Sequence, residues 1–148
     1  IIELFYNAQH ELYLLGSGGE WISECVKLSN NIKFMGSLNE SVAHEFVSTC
    51  DVGLIPYDES RMYYNICFPT KASFYITAGI TFLSTDLDEL KIHFSSNLAF
   101  FVPFHEWQDF INISINKNMI NAVNKNVLLN ANKFEWGYIF NSWLKNIC

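Results

Sequence analysis

The sequence predicts an α/β protein: a doubly wound parallel sheet flanked by helices. Short apolar runs of strand length recur along the chain, and segments with helix-start and helix-stop signals alternate with them. Residues 52–85 carry the clearest unit, with an apolar run, a polar loop, a lysine-bearing helix start and a second apolar run in that order. A strand, crossover helix and strand of this length fit the right-handed parallel βαβ unit.

The elements follow in order. Residues 1–10 read as the tail of an amphipathic helix, with Ile1, Leu4, Phe5 and Ala8 at helical spacing. Residues 11–15 (ELYLL) form a strand that runs into Gly16, Ser17, Gly18 and Gly19. A glycine-rich turn between strand and helix lets a phosphate or sugar approach the backbone, although GSGG without a longer fingerprint serves equally as a plain tight turn. Residues 20–28 are a short helix candidate, and 32–35 a strand closing on Gly36, Ser37 and Leu38. Asn39 or Ser41 can cap the next helix, which runs to about Cys50.

Val52 to Ile55 is the next strand, closed by Pro56. Pro69 marks the first turn of the following helix, Lys71 lies just inside it, and Gly79 ends it before the strand at 80–83. Loops at the carboxyl ends of parallel strands form the binding crevice, and a helix N-terminus offers free N–H groups to an anion. Lys71 would add a full positive charge there, although a lysine in a first turn is also an ordinary surface residue. Residues 98–102 (LAFFV) are expected as the last strand, and 106–115 and 118–131 as helices. Residues 134–147 read as an amphipathic closing helix whose Trp136, Phe140, Trp143 and Leu144 are expected to pack rather than to stack on a ligand.

With 148 residues, half of them hydrophobic, the chain can bury the core of one domain. It has no spanning-length apolar stretch and no signal-peptide pattern, which predicts a cytoplasmic protein with peripheral association at the inner face of a membrane still open to it. A net charge of −6 argues against a nucleic-acid partner. Cys25, Cys50, Cys67 and Cys148 stand apart, as do His10, His44, His93 and His105, so neither a metal site nor a disulfide framework is expected. A sheet of this kind normally starts with a central strand, whereas this chain opens inside the helix after one. Either the chain is therefore a fragment of a larger protein, or its sheet order differs from this expectation.

Taken together, LYLLGSGG at 12–19, NIKFMGSL at 31–38, CDVGLIPY at 50–57, FPTKASFYITAGITFLST at 68–85 and FEWGYIFNSWL at 134–144 resemble the C-terminal domain of GT-B glycosyltransferases of the retaining type. The resemblance implies a Rossmann-like fold, one half of a GT-B architecture, with residues 1–148 as a single donor-binding domain and a fragment lacking the first strand and the N-terminal acceptor domain. It implies a hexosyltransferase that takes a nucleotide-sugar as substrate, a UDP-sugar being the expected donor, with no cofactor and no metal. The acceptor, a glycan, a lipid-linked sugar or a protein, would be held by the N-terminal domain.

Carried over to this sequence, the resemblance implies that Gly16, Ser17 and Gly18 lie against the donor phosphates or ribose. Gly36, Ser37 and Leu38 would border the base. Tyr64, Asn65, Thr70, Lys71 and Ser73 would receive the diphosphate or sugar, with Lys71 as the catalytic residue that stabilises the leaving diphosphate. Many relatives carry two glutamates at the positions of Ile66 and Phe74, and both are absent here. Tyr64, Asn65, Pro69, Lys71, Ser73 and Tyr75 instead resemble a subgroup of bacterial sugar transferases. The isolated domain is expected to be inactive. Two other readings stand beside this one: a non-catalytic interaction subunit derived from such an enzyme, and a sugar-nucleotide epimerase of the same architecture, for which no acid/base pair is evident.

Overall fold

The computed structural model describes residues 1–6, 8–19, 21, 22, 24, 27 and 29–145. The helix expected over 20–28, Cys25, the final residues 146–148 and the side chains of Trp136 and Trp143 lie outside the described residues. The architecture is α/β, with parallel strands in two small sheets flanked by helices.

The first sheet pairs β1 (Leu12–Leu15) with β2 (Ile32–Gly36), in a register of Leu12 opposite Ile32 and Leu15 opposite Gly36. Leu12 and Ile32 are buried. The short helix α1 (Ile2–Phe5) buries Phe5 against the same core. Its connection to β1 is fixed by one side chain: the Asn31 amide donates to the carbonyls of Phe5, Ala8 and His10 at 2.6, 3.1 and 3.0 Å.

The second sheet has the order β3 (Val52–Ile55), β4 (Thr81–Ser84), β5 (Phe100–Phe101), all parallel. All residues of β4 are buried, as expected for the central strand of a parallel sheet covered on both faces. Helix α2 (Glu40–Ser48) leads into β3, and Asn39 caps it by accepting from the Val42 N–H at 2.9 Å. Between β3 and β4 lie α3 (Met62–Ile66) and α4 (Thr70–Thr77). Gly79 ends α4 at φ +83°, a conformation that an L side chain would strain.

After β4 come α5 (Asp88–His93), β5, the short α6 (Trp107–Asp109) and a π-helical turn at Phe110–Ser114. The long α7 (Lys117–Asn130) and α8 (Trp136–Lys145) close the chain. Trp107 is fully buried, and its ring N–H donates to the Val102 carbonyl at 2.8 Å. One hydrophobic cluster joins Leu12 and Ile32 of the first sheet to Ile55, Phe82, Leu83 and Phe100 of the second.

Several expectations need correction. The sheet is not one continuous ladder: β1 uses one edge for β2, β3 uses one edge for β4, and no ladder joins β1 to β3 among the described residues. Carbonyls along a strand alternate between its two edges. Ile55 accepts from the Thr85 N–H on the β4 side, so Leu54 faces the other edge, where the Tyr75 hydroxyl donates to its carbonyl at 3.3 Å. The last strand is shorter than 98–102, because the Leu98 and Ala99 N–H groups turn back to the Ser95 carbonyl. The helix expected over 106–115 is interrupted, closing with Ile115 bonded five residues back to Phe110. On α8, Phe140 and Leu144 are 56% and 40% exposed. Phe134 does pack, stacked on Phe94 with ring centroids 4.8 Å apart.

Candidate functional site

The candidate residues fall into two groups, one on each sheet. In the first, Gly16–Gly18 and Gly36–Leu38 follow the carboxyl ends of β1 and β2, and the Gly16 N–H donates to the Gly36 carbonyl at 2.9 Å. Gly18 and Gly36 have φ +73° and +68°, and a Cβ at either would meet open space. These turns need glycine for backbone shape and leave room above it. An open hollow of about 480 Å³ lies on α2 beside Glu40, Ser41 and His44.

The second group is the connection from β3 to α4. Pro56 and Tyr57 leave the strand, and the Tyr57 carbonyl is held at 2.6 Å by the hydroxyl of buried Thr85. Asp58 then folds the loop on itself, accepting from Ser60 N–H and Oγ and from Arg61 Nε. The Ser60 hydrogen bonds, with Arg61 beside them, hold the Asp58 carboxyl below its ordinary range. Asp58 and Arg61 are thus committed to each other. Glu59 accepts from the Asp86 N–H through its carboxylate at 3.3 Å.

Asn65 is also committed. Its amide donates to the Glu59 carbonyl at 2.6 Å, and its side-chain oxygen accepts from the Asp88 N–H at 3.4 Å. It stitches the loop after β3 to the start of α5.

Between this loop and the start of α4 lies a cavity of about 290 Å³. Tyr57, Tyr63, Tyr64 and Phe68 form its aromatic wall, and Cys67, Pro69 and Thr70 carry it to the first turn of α4. The Tyr57 and Tyr64 rings sit 4.8 Å apart at 36°, and Tyr63 meets Tyr64 edge-on. The neighbouring Cys67 side chain pushes the Tyr63 phenol above its ordinary pKa. Lys71, the second residue of α4, holds its ammonium 5.5 Å from the centre of the Tyr57 ring. No carboxylate lies within ion-pair distance of Lys71 among the described residues, whereas Lys33 and Lys91 are both paired with acids.

Of the residues singled out in the sequence, Tyr64 and Thr70 line this cavity, and Lys71 stands against the ring of Tyr57, one of its walls. Ser73 does not join them: two residues further along a helix is about 200° around its axis, so Ser73 and Lys71 belong to different faces. Sequence reasoning missed Tyr57, Tyr63 and Phe68, although four aromatics within a dozen residues before a helix start are the signal that could have found them. It also missed Ser84, at the carboxyl end of β4, whose buried hydroxyl has no hydrogen-bond partner among the described residues. No cluster of three metal-ligating side chains occurs among the described residues, and no helix among them is long and apolar enough to cross a membrane.

No protein-family model matches this chain, and no curated protein matches it either.

Proposed function

We propose that this chain is the nucleotide-sugar donor domain of a GT-B glycosyltransferase, acting with an acceptor-binding domain on a glycan, lipid-linked or protein acceptor. The observation that carries the reading is Lys71, a cation without a carboxylate partner among the described residues, in the first turn of α4 beside the cavity after β3. An ammonium and the first-turn N–H groups of a helix suit the negative charge that gathers on a departing nucleoside diphosphate, and they need no metal to do so. The divided sheet supports the same reading. One further parallel strand, paired with the second edges of β1 and β3, would turn the two sheets into a single doubly wound one.

In this reading Lys71 stabilises the leaving group, Thr70 and the α4 N-terminus orient the diphosphate, and the turns at Gly16–Gly18 and Gly36–Leu38 take the nucleoside. A UDP-sugar is the expected donor. Ligand-observed NMR with UDP, GDP, ADP and CMP, on the native chain and on Lys71→Ala, tests it. One diphosphate should bind and be lost in the variant. Binding of none, or binding indifferent to Lys71, removes the donor-domain reading.

A second reading, a non-catalytic interaction subunit, is favoured by the exposed side chains of Met62, Tyr63, Ile66 and Ile92 on α3 and α5. Apolar side chains of that size grouped on a surface often mark a protein contact.

A further inference from the structure

We infer that Tyr57 is a positioning residue for Lys71: its ring holds the ammonium near the carboxyl end of β3 without neutralising it, which leaves the charge free for an anion. The Lys71 ammonium stands 5.5 Å over the centre of the Tyr57 ring, within the roughly 6 Å over which an aromatic face attracts a cation. Nothing else around it accounts for that place. The first turn of α4 is the positive end of a helix dipole and repels an ammonium. No carboxylate lies within ion-pair distance of Lys71 among the described residues, and the side chain is exposed. A lysine so placed would extend into water unless the ring drew it back.

Lys33 supplies the contrast. Its ammonium also stands over a tyrosine, 5.2 Å from the centre of the Tyr13 ring, but it is paired with the Glu11 carboxylate as well. A carboxylate partner cancels the charge and has to be displaced before another anion can bind, whereas an aromatic face fixes the cation and leaves its charge intact. The Tyr57 ring is itself fixed. Its backbone carbonyl accepts from the buried Thr85 hydroxyl at 2.6 Å, which ties it to the end of β4, and the Tyr64 ring lies 4.8 Å from its own at 36°. A cation carried by α4 is thereby located against the carboxyl ends of β3 and β4. Ordering the long lysine stem before the anion arrives removes part of the entropic cost of binding. The inference deepens the donor-domain reading and rests on it only for the identity of the anion, a nucleoside diphosphate.

NMR on the whole chain tests this, with inorganic pyrophosphate, UDP, GDP and ADP as probes. In the free protein the ε-methylene protons of Lys71, assigned by their loss in Lys71→Ala, should be shifted upfield by the ring current of Tyr57. Tyr57→Phe keeps the ring and should keep that shift, and Tyr57→Leu should abolish it. Pyrophosphate and one nucleoside diphosphate should bind the native chain and Tyr57→Phe alike, and bind Tyr57→Leu about 2- to 5-fold more weakly, the scale of an exposed cation–π contact. The shift in the native protein is read without changing Tyr57, so an unshifted Lys71 signal overturns the inference even where Tyr57→Leu fails to fold. Equal weakening in Tyr57→Phe and Tyr57→Leu would mean that the hydroxyl touches the anion itself, and would also overturn it. If a nucleoside diphosphate binds through Lys71 but is indifferent to Tyr57→Leu, the inference falls and the donor-domain reading stands. If pyrophosphate alone binds, with the expected dependence on Lys71 and on the ring, the inference stands and the donor-domain reading falls. If no probe binds, both fall.

Discussion

The ring of Tyr75 covers Gly53 so closely that a Cβ on Gly53 would lie 2.3 Å from the ring carbons. The same tyrosine donates its hydroxyl to the Leu54 carbonyl, so α4 is fastened to β3 by one side chain lying on one glycine. Lys71 is four residues before Tyr75 and shares its helix face, which makes this contact a determinant of where the cation stands.

Gly53→Ala should therefore force the Tyr75 ring off β3. Overpacking of this kind destabilises by about 1–3 kcal/mol. Urea unfolding would measure it, and a loss below about 0.5 kcal/mol would show that the ring can yield.

The Tyr75 hydroxyl carries a pH signature. Burial, more than its neighbours Tyr57 and Cys50, raises its pKa. A tyrosine in the unfolded chain ionises near 10. Below that pH both states keep the proton and this group's contribution to stability is complete. As pH rises from about 10 through the higher folded value, the unfolded chain ionises first and the contribution is lost. Tyr75→Phe should thus be less stable than the native chain near pH 7 by about 0.5–1.5 kcal/mol. The difference should shrink above pH 10, as followed by denaturation at the two pH values.

Asn124 of α7 joins three elements through one amide. Its oxygen accepts from the Thr81 N–H at 2.7 Å, and its nitrogen donates to the Asp51 carbonyl at 3.0 Å, fixing the starts of both β4 and β3. Asn124→Ala leaves a part-buried donor and an acceptor unpaired, and thermal unfolding should report a loss of about 1–3 kcal/mol.

Ser84→Ala should have the opposite sign. The hydroxyl is buried without a partner among the described residues, so replacing it with hydrogen removes a desolvated polar atom. Stability should stay level or rise by up to about 1 kcal/mol. A clear loss in the melting temperature would mean that the hydroxyl does have a partner.

The strands were legible because each is a short apolar run with a turn signal at its end: Val52–Ile55 stops at Pro56, and β2 stops at Gly36. The α4 boundaries were legible for similar reasons, with Pro69 before its first residue and Gly79 after its last. Helix α5 was not, because six residues give too little periodicity to see. It is marked instead by charge, with Asp88 and Glu89 in its first turn and Lys91 and His93 in its last, a pattern that complements the helix dipole. The division of the sheet was invisible because strand order depends on which edges meet, and apolar runs carry no record of that. At the site, Lys71 and Thr70 could be picked from their position at a helix start. The loop contacts of the Asn65 amide to Glu59 and Asp88 follow from no local pattern.

A sheet in two pieces does not have to open as one. β4 lies between two strands with every residue buried, whereas among the described residues β1 and β2 pair with each other alone and share the rest of the molecule through side-chain packing. Amide protons of Thr81–Ser84 should therefore exchange with deuterium only through global unfolding. Those of Leu12–Leu15 and Ile32–Gly36 should escape through a cheaper, partial opening that leaves the second sheet standing. The molecule then has two cooperative units of unequal strength. The glycine turns after β1 and β2 belong to the weaker one, and Lys71, beside β3, to the stronger.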